Sequence, residues 1–331
     1  MQSFITLRPT TNPYIQMLDS VLSQHPGVEH LRFDRVRALV GRYEVLHLHW
    51  PETLFTGATP LKRTLRRLYA TALVARLLVG RTAVVRTAHN VEIPRDVSSW
   101  ERRLLELIER RADVRIILNA ETDTQGVPGV LIPHGHYRDW FAGVERVPAA
   151  PNTLAFVGLV RRYKGVEHLM MTFAETAATH PQLRLRISGN PTSPEIAATV
   201  RDLAAQDSRV SLDLRFLSEA DFATAIMGAR GLVLPYRFMH NSGAVLAALS
   251  LQRPVLVPDN EVNRALAEEV GRGWVHLFSD DLDVHDLLAF HRAMEQPADG
   301  APELSARDWT HTAEAHVAAY RKAADLRRRR R

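Results

Sequence analysis

Residues 231–258 read GLVLPYRFMHNSGAVLAALSLQRPVLVP. The apolar run Gly231 to Leu234 fits a buried parallel strand, and Val255 to Val257, bounded by Pro254 and Pro258, fits a second. Pro235 to Asn241 between them is polar and aromatic, as a loop is. Ser242 then offers an N-cap hydroxyl, Gly243 a small residue, and Ala244 to Leu251 a run of helix formers. Strand, loop, capped helix, strand is a βαβ unit whose helix N-terminus faces the carboxyl ends of the strands. Unpaired N–H groups and the positive end of the helix dipole make that end an anion site. Gly243 leaves room for an oxyanion at the backbone. An ordinary Ser-capped helix reads the same way, so the neighbouring loops must decide what the unit is for.

Outward from this unit, strands and helices alternate through the whole chain. In the front half the pattern predicts strands at Met1 to Leu7, Val28 to Phe33, Tyr43 to Trp50, Thr82 to Thr87, Val114 to Leu118 and Val130 to Ile132. Helices are predicted at Tyr14 to Leu22, Lys62 to Gly80 and Ser99 to Ala112. Residues 145–152, with Pro148 and Pro151, read as a linker. Beyond it, strands are predicted at Leu154 to Val157, Leu183 to Ile187, Val210 to Leu212, Gly231 to Leu234, Val255 to Val257 and Trp274 to His276, with helices between them. The expected architecture is α/β: two Rossmann-like domains, 1–147 and 148–305, facing across a cleft, then a helix at 306–326 and a basic tail at 327–331.

Composition narrows the class. The 331 residues suit two domains, and the absence of cysteine excludes a disulfide scaffold and a thiolate metal site. There is no signal-like start and no apolar run that spans a bilayer, so a cytoplasmic protein is expected. The net charge of +5 is uneven: the front half and the tail Arg327–Arg331 are basic and the back half is mildly acidic. That distribution points to an anionic surface, and no nucleic-acid motif supports a nucleic-acid partner. The Lys62 helix sets Lys62, Arg63, Arg66, Arg67 and Arg76 beside six leucines, as a helix lying at anionic headgroups at the inner face of a membrane would. Packing on its own sheet explains the same pattern.

Gly158 to Gly165, GLVRRYKG, follows a predicted strand and places Arg161, Arg162 and Lys164 where they could meet a diphosphate. A solvated basic loop is the plainer reading; together with Ser242-Gly243 at an equivalent strand end, a phosphate clamp becomes the better one. Gly189 and Asn190 follow another strand and admit a ring or ribose, or a simple tight turn. Neither domain carries G-x-G-x-x-G or a P-loop, which disfavours a nicotinamide enzyme or a kinase. In the first domain His89 ends a strand and could bond a sugar hydroxyl or act as acid or base near neutral pH. His47 and His49 share a strand face, but no spacing supplies the further ligands of a zinc site. Asp280, Asp281 and Asp283 read as a helix-capping loop.

These motifs, in this order, resemble the nucleotide-sugar-dependent GT-B glycosyltransferases. They are similar to the bacterial exopolysaccharide and glycolipid enzymes of the xanthan-pathway β-mannosyltransferase type. The likeness rests on Leu46-His47-Leu48-His49-Trp50-Pro51-Glu52, Thr87-Ala88-His89-Asn90, Pro133-His134-Gly135-His136-Tyr137, Phe156 to Gly165, Pro235-Tyr236, Asn241-Ser242-Gly243 and Arg253-Pro254-Val255. Trp309 to Tyr320 resembles the helix that crosses back to the first domain. The resemblance implies a hexosyltransferase without cofactor or metal. Its donor, a nucleoside-diphosphate sugar, would meet Gly158, Arg161, Lys164, Gly189, Asn190, Tyr236, Asn241, Ser242 and Gly243. Its carbohydrate or lipid-linked acceptor would meet Asn12, Tyr14, His49, Trp50, His89, Asn90 and His134. Lys164 matches the family's phosphate-binding lysine. Leu159 stands where an arginine is usual, with Arg161 as substitute, and the glutamates of E-x7-E are replaced by Met239 and Ala247.

Breaking the sugar–phosphate bond leaves negative charge on the diphosphate, which Arg161, Lys164 and the Ser242-Gly243 amides would stabilise in place of a metal. An inverting reaction needs a base, for which His89, Glu52 and Asp96 are candidates. Two other readings remain open at this level: a non-catalytic nucleotide-sugar-binding relative, motivated by the missing glutamates, and a nucleotide-sugar epimerase.

Overall fold

The structure, a computed structural model, describes residues 1–2, 12–55, 59–89, 97–296, 298 and 300–330. It divides into two compact units, one of Met1–Gly135 with Ala306–Arg331 and the other of His136–Ser305. The first contains α1 (Pro13–Gln24), α2 (Arg35–Val40), β1 (Val45–Leu48), α3 (Pro60–Val79), β2 (Ala83–Ala88), α4 (Ser99–Arg111), β3 (Val114–Ile117) and β4 (Gly129–Leu131). The second contains β5 (Thr153–Val157), α5 (Val166–Glu175), β6 (Arg184–Ser188), α6 (Pro194–Ala205), β7 (Val210–Asp213), α7 (Glu219–Met227), β8 (Gly231–Val233), α8 (Gly243–Ser250), β9 (Val255–Pro258), α9 (Glu261–Val270), β10 (Val275–Phe278) and α10 (Val284–Ala293). The chain ends in α11 (Trp309–Arg329), which packs on α1, β2 and β3 of the first unit.

In the first unit the strands pair in the order β1-β2-β3-β4, all parallel. Their near-continuous apolar runs reflect burial on both faces: Leu46, Leu48, Val84, Val85 and Ile116 are fully enclosed. The second sheet runs β10-β9-β8-β5-β6-β7, also all parallel. Helix starts are chemically marked. Ser98 and Glu101 form a capping box on α4, Asp283 and Asp286 another on α10, and Ser193, Ser218 and Asn260 cap α6, α7 and α9.

Several elements differ from the sequence reading. Met1 to Leu7 falls mostly outside the described residues, where only Gln2 bridges His47. Val28 to Phe33 is not a strand. Its apolar residues do not alternate, only Phe33 is buried, and its one ladder-like bond runs from Gln2 N to Leu31 O at 2.9 Å. The short α2, capped by Asp34, was not anticipated, whereas α10 starts at the Asp283 cap, as the reading of residues 280–283 as a helix-capping loop expects. Residues 136–147 belong with the second unit rather than the first, because Tyr137 N donates to Ser250 Oγ at 2.8 Å and Phe141 stacks on Phe222. The supposed basic tail is helical through Arg329. Arg327 donates to Gly80 O, Arg328 pairs with Asp325, and Arg330 lies 3.6 Å from the buried Asp113.

Gly189 has φ 140°, and a Cβ there would stand 1.9 Å from Gly158 O. This close approach fastens the β5 and β6 loops together. Gly189→Ala should therefore lower stability by at least about 2 kcal/mol, read as a reduced urea midpoint.

Candidate active site

The second sheet reverses its strand order between β5 and β8. From β5 the chain winds outward through β6 and β7, then returns to lay β8, β9 and β10 on the other side. Loops leaving the carboxyl ends of strands at such a point enclose a crevice where parallel sheets bind ligands. The two loops here are Gly158 to Gly165 and Leu234 to Ser242.

These loops are tied together. Gly165, at φ 67°, lets the first loop pass so close to the second that a Cβ would meet Pro235 O at 2.4 Å. Arg237 N donates to Tyr163 O at 2.9 Å. Lys164 Nζ donates to the Tyr236 hydroxyl at 3.1 Å and lies 4.6 Å from the Tyr236 ring centroid, a cation–π contact. The Ser242 hydroxyl is close enough to the Tyr236 phenol to oppose the effect of burial on it, and its Oγ accepts from Val245 N at 3.4 Å as the N-cap of α8. One chain of contacts thus joins the lysine of the first loop to the open helix end of the second. A Cβ on Gly243 would come within 3.2 Å of the Tyr137 hydroxyl, so the backbone at the start of α8 is reached by a buried phenol.

Burial, and then the Arg161 cation beside it, press the Lys164 ammonium down to about 8. Burial raises the Tyr236 phenol, which stays protonated and able to donate. Arg161 itself is exposed. A half-buried ammonium disfavoured by its surroundings is stabilised by any anion that enters.

The first unit assembles a different site. Trp50 and His89, both half-buried, stack with ring centroids 4.1 Å apart and planes at 17°. Behind them His49, 1 % exposed, places Nδ1 at 3.1 Å from His89 Nε2. His47 and His49 share a face as expected, with centroids 4.1 Å apart. Burial, joined by neighbouring cations, holds His47, His49 and His89 well below the usual imidazole value. His89 is therefore a neutral ring, rather than one poised to titrate near neutral pH.

Other sequence candidates have local employment. Asn12 accepts from Tyr14 N at 3.0 Å as the cap of α1. Tyr14 is 1 % exposed and packs among His49, His89, His134 and Trp309, so its ring is core rather than surface. His134 is buried, with Nδ1 at 2.9 Å from Gly135 O. Gly189 serves loop packing, Asn190 is exposed, and Asn241 is half-buried beside Ser242. Glu52 sits in a short 3-10 helix, Pro51–Leu54, where burial raises its pKa. Asn90 and Asp96 lie outside the described residues. Where the glutamate pair is missing, Met239 turns inward to accept from Asn263 Nδ2 at 3.4 Å and Ala247 is buried in α8.

Sequence reasoning missed Arg86. It is buried within β2, donates to the carbonyls of Leu48 and His49, and pairs through Nε with Glu109 at 2.8 Å. Glu109 also binds Arg115, so a carboxylate between two arginines underlies the His49 backbone. The only signal was a lone cation in the apolar run AVVRTA.

Comparison with known proteins defines the class. Residues 151–289 match the family model "Glycosyl transferases group 1". A GDP-mannose:glycolipid 4-beta-D-mannosyltransferase from Xanthomonas campestris pv. campestris is 40% identical over 325 residues, covering 97% of this chain and 91% of that protein. Among solved structures, sucrose-phosphate synthase from Thermosynechococcus elongatus superposes with a TM-score of 0.61 at 14% identity, covering 99% of this chain and 98% of that one. WaaG, a glycosyltransferase involved in lipopolysaccharide biosynthesis, gives 0.55 at 14% identity, with 98% and 99% covered. The chain belongs to the group 1 glycosyltransferases of GT-B fold, and it is a hexosyltransferase.

Affinity for an anion such as inorganic pyrophosphate at Lys164 should fall as pH rises through about 8, because the ammonium is lost there. Lys164→Arg, charged throughout, should flatten this dependence across roughly pH 7 to 9 in calorimetric titrations.

Proposed function

We propose that this enzyme moves a mannosyl group from GDP-mannose to a glycolipid acceptor without a divalent metal. Donor and acceptor classes are suggested by the Xanthomonas relative's name. The observation that carries the chemical reading is the Lys164–Tyr236–Ser242 connection at the strand-order reversal of the second sheet. The departing diphosphate takes its stabilisation from Arg161, Lys164 and the amides that open α8. Tyr236 fixes the lysine over its ring, so little reorganisation is needed when charge develops. Cations placed in this way supply the charge that a metal ion supplies elsewhere.

The acceptor is placed on the first unit, where the stacked Trp50 and His89 present a half-exposed aromatic edge to a sugar. His89, neutral and held by His49, orients the attacking hydroxyl. The hydroxyl's one proton then points to His89, which leaves Glu52, with its pKa raised by burial, as the alternative base in an inverting reaction.

Reaching a glycolipid calls for a membrane-facing surface, and α3 provides one. Leu61, Leu65, Leu68 and Val79 are 56–78% exposed along one stripe of that helix. Lys62 and Arg76 lie to one side of that stripe, and α3 contains no acidic residue. An exposed apolar stripe beside cations, on a helix without carboxylates, fits an anionic lipid surface. No helix among the described residues is long and apolar enough to cross a membrane.

Lys164→Ala should reduce kcat by roughly 10²- to 10³-fold. Chelation with EDTA should leave the wild-type rate unchanged. A wild-type rate abolished by EDTA and restored by a divalent ion would overturn the metal-free reading. For the surface, Leu65→Glu with Leu68→Glu should release the protein from vesicles containing anionic phospholipid in sedimentation assays, with turnover of a soluble acceptor analogue retained.

A further inference from the structure

Behind His89, five side chains drawn from four distant parts of the sequence form an unbroken hydrogen-bonded series. His89 Nε2 faces His49 Nδ1 at 3.1 Å, and His49 Nε2 faces Gln2 Oε1 at 2.6 Å. Gln2 Nε2 donates to the Tyr320 hydroxyl at 2.8 Å, which faces His47 Nδ1 at 2.9 Å, and His47 Nε2 reaches Thr87 Oγ1 at 2.7 Å. Gln2, His47 and His49 are each 1 % exposed and Tyr320 is 8 % exposed, so water does not replace these partners.

The series has a direction. A neutral imidazole donates from one nitrogen and accepts at the other, and the three rings are held neutral by burial. The Gln2 carbonyl oxygen can only accept, so His49 donates from Nε2 and carries its lone pair on Nδ1. His89 must then donate from Nε2. On the other side the Gln2 amide N–H donates to Tyr320, whose hydroxyl proton turns to His47 Nδ1, and His47 donates from Nε2 to Thr87. Every group is satisfied in one sense of the series, and Gln2 sets that sense because its two ends differ.

We propose that Gln2, acting through His49 and anchored by Tyr320 of the C-terminal helix, is a positioning residue that fixes the tautomer of His89. In that tautomer the proton is on Nε2 and the lone pair is on Nδ1. The inference rests on the reading of His89 as the group that meets the acceptor sugar, and it deepens that reading. A His89 that presents a lone pair accepts a hydrogen bond from a sugar hydroxyl and raises the electron density on the attacking oxygen; one that presents N–H instead donates to that oxygen and weakens it. Two residues far from the acceptor surface therefore decide which way the nucleophile is polarised.

The experiment uses the full chain with 15N-labelled histidine, the His89 signal being assigned by its loss in His89→Gln. Two-bond proton–nitrogen correlations report which nitrogen carries the proton. The wild type should show His89 protonated on Nε2. Gln2→Glu keeps an acceptor facing His49 while losing the bond given to Tyr320, and should preserve the tautomer. Gln2→Met removes donor and acceptor at similar volume, and should give mixed tautomers with kcat lowered roughly five- to tenfold at unchanged donor KM. Tyr320→Phe leaves Gln2 unanchored and should move the His89 signal in the same direction as Gln2→Met. A wild-type His89 protonated on Nδ1 would overturn the proposal, as would a tautomer that Gln2→Met and Tyr320→Phe leave untouched. The underlying reading fails separately: if the tautomer behaves as stated while His89→Gln keeps full turnover, the relay stands and His89 is not the acceptor contact.

Discussion

A lysine ammonium half-buried against a tyrosine ring is the constraint around which the second unit is arranged. Removing an ammonium from water is costly, and the pKa of Lys164, pushed down to about 8, records that cost. The cation–π contact with Tyr236 offsets part of it, on the order of 1 kcal/mol. The rest is left for an anion to recover. Gly165 allows the approach of the two loops, Tyr236 ties them, and Ser242 opens the helix at the far side. Each would be an ordinary local feature alone; joined, they make a site whose strongest interactions await negative charge.

The first unit solves a different problem. It buries several imidazoles beside a guanidinium and keeps them neutral, first because a protonated ring would lose its hydration in a dry interior and then because its charge would face that of Arg86. Arg86 is retained there by Glu109 and by the carbonyls that end β1, so its charge is compensated locally. The neutral rings are then available for hydrogen bonding in a fixed sense. In this unit polarity is organised by donors and acceptors, and in the other by full charges, which fits one surface for a sugar hydroxyl and another for a diphosphate.

Much of this was legible in the sequence for identifiable reasons. Parallel strands buried on both faces leave short apolar runs, and hydroxyl, Asp or Asn caps mark where helices begin, so β5 through β10 with α5 through α9 stand out in the residue pattern. The loop from Gly158 to Gly165 stood out because its cations and glycines are adjacent in sequence. Val28 to Phe33 misled because it is apolar without alternating. The end of α11 was hidden because five arginines look like a tail until Arg327 is seen to reach Gly80 and Arg330 to reach Asp113. Least visible was the histidine series: Gln2 and Tyr320 are 318 residues apart, and nothing in either position announces the other. Met239 and Ala247 show the converse case, where a departure from the family pattern was evident at once and its structural reason, an inward-turned side chain and a packed helix, was not.

The claim on which this account turns is that the charged part of the donor is gripped by Lys164 and the opening of α8. Nuclear magnetic resonance of the labelled enzyme, following the Lys164 ammonium and the Ser242 and Gly243 amides while GDP is added, addresses it directly, with guanosine as the uncharged comparison. The account predicts that GDP moves all three signals along one saturation curve and that guanosine leaves them in place. Signals that stay still as GDP saturates the enzyme, or that respond equally to guanosine, would contradict it.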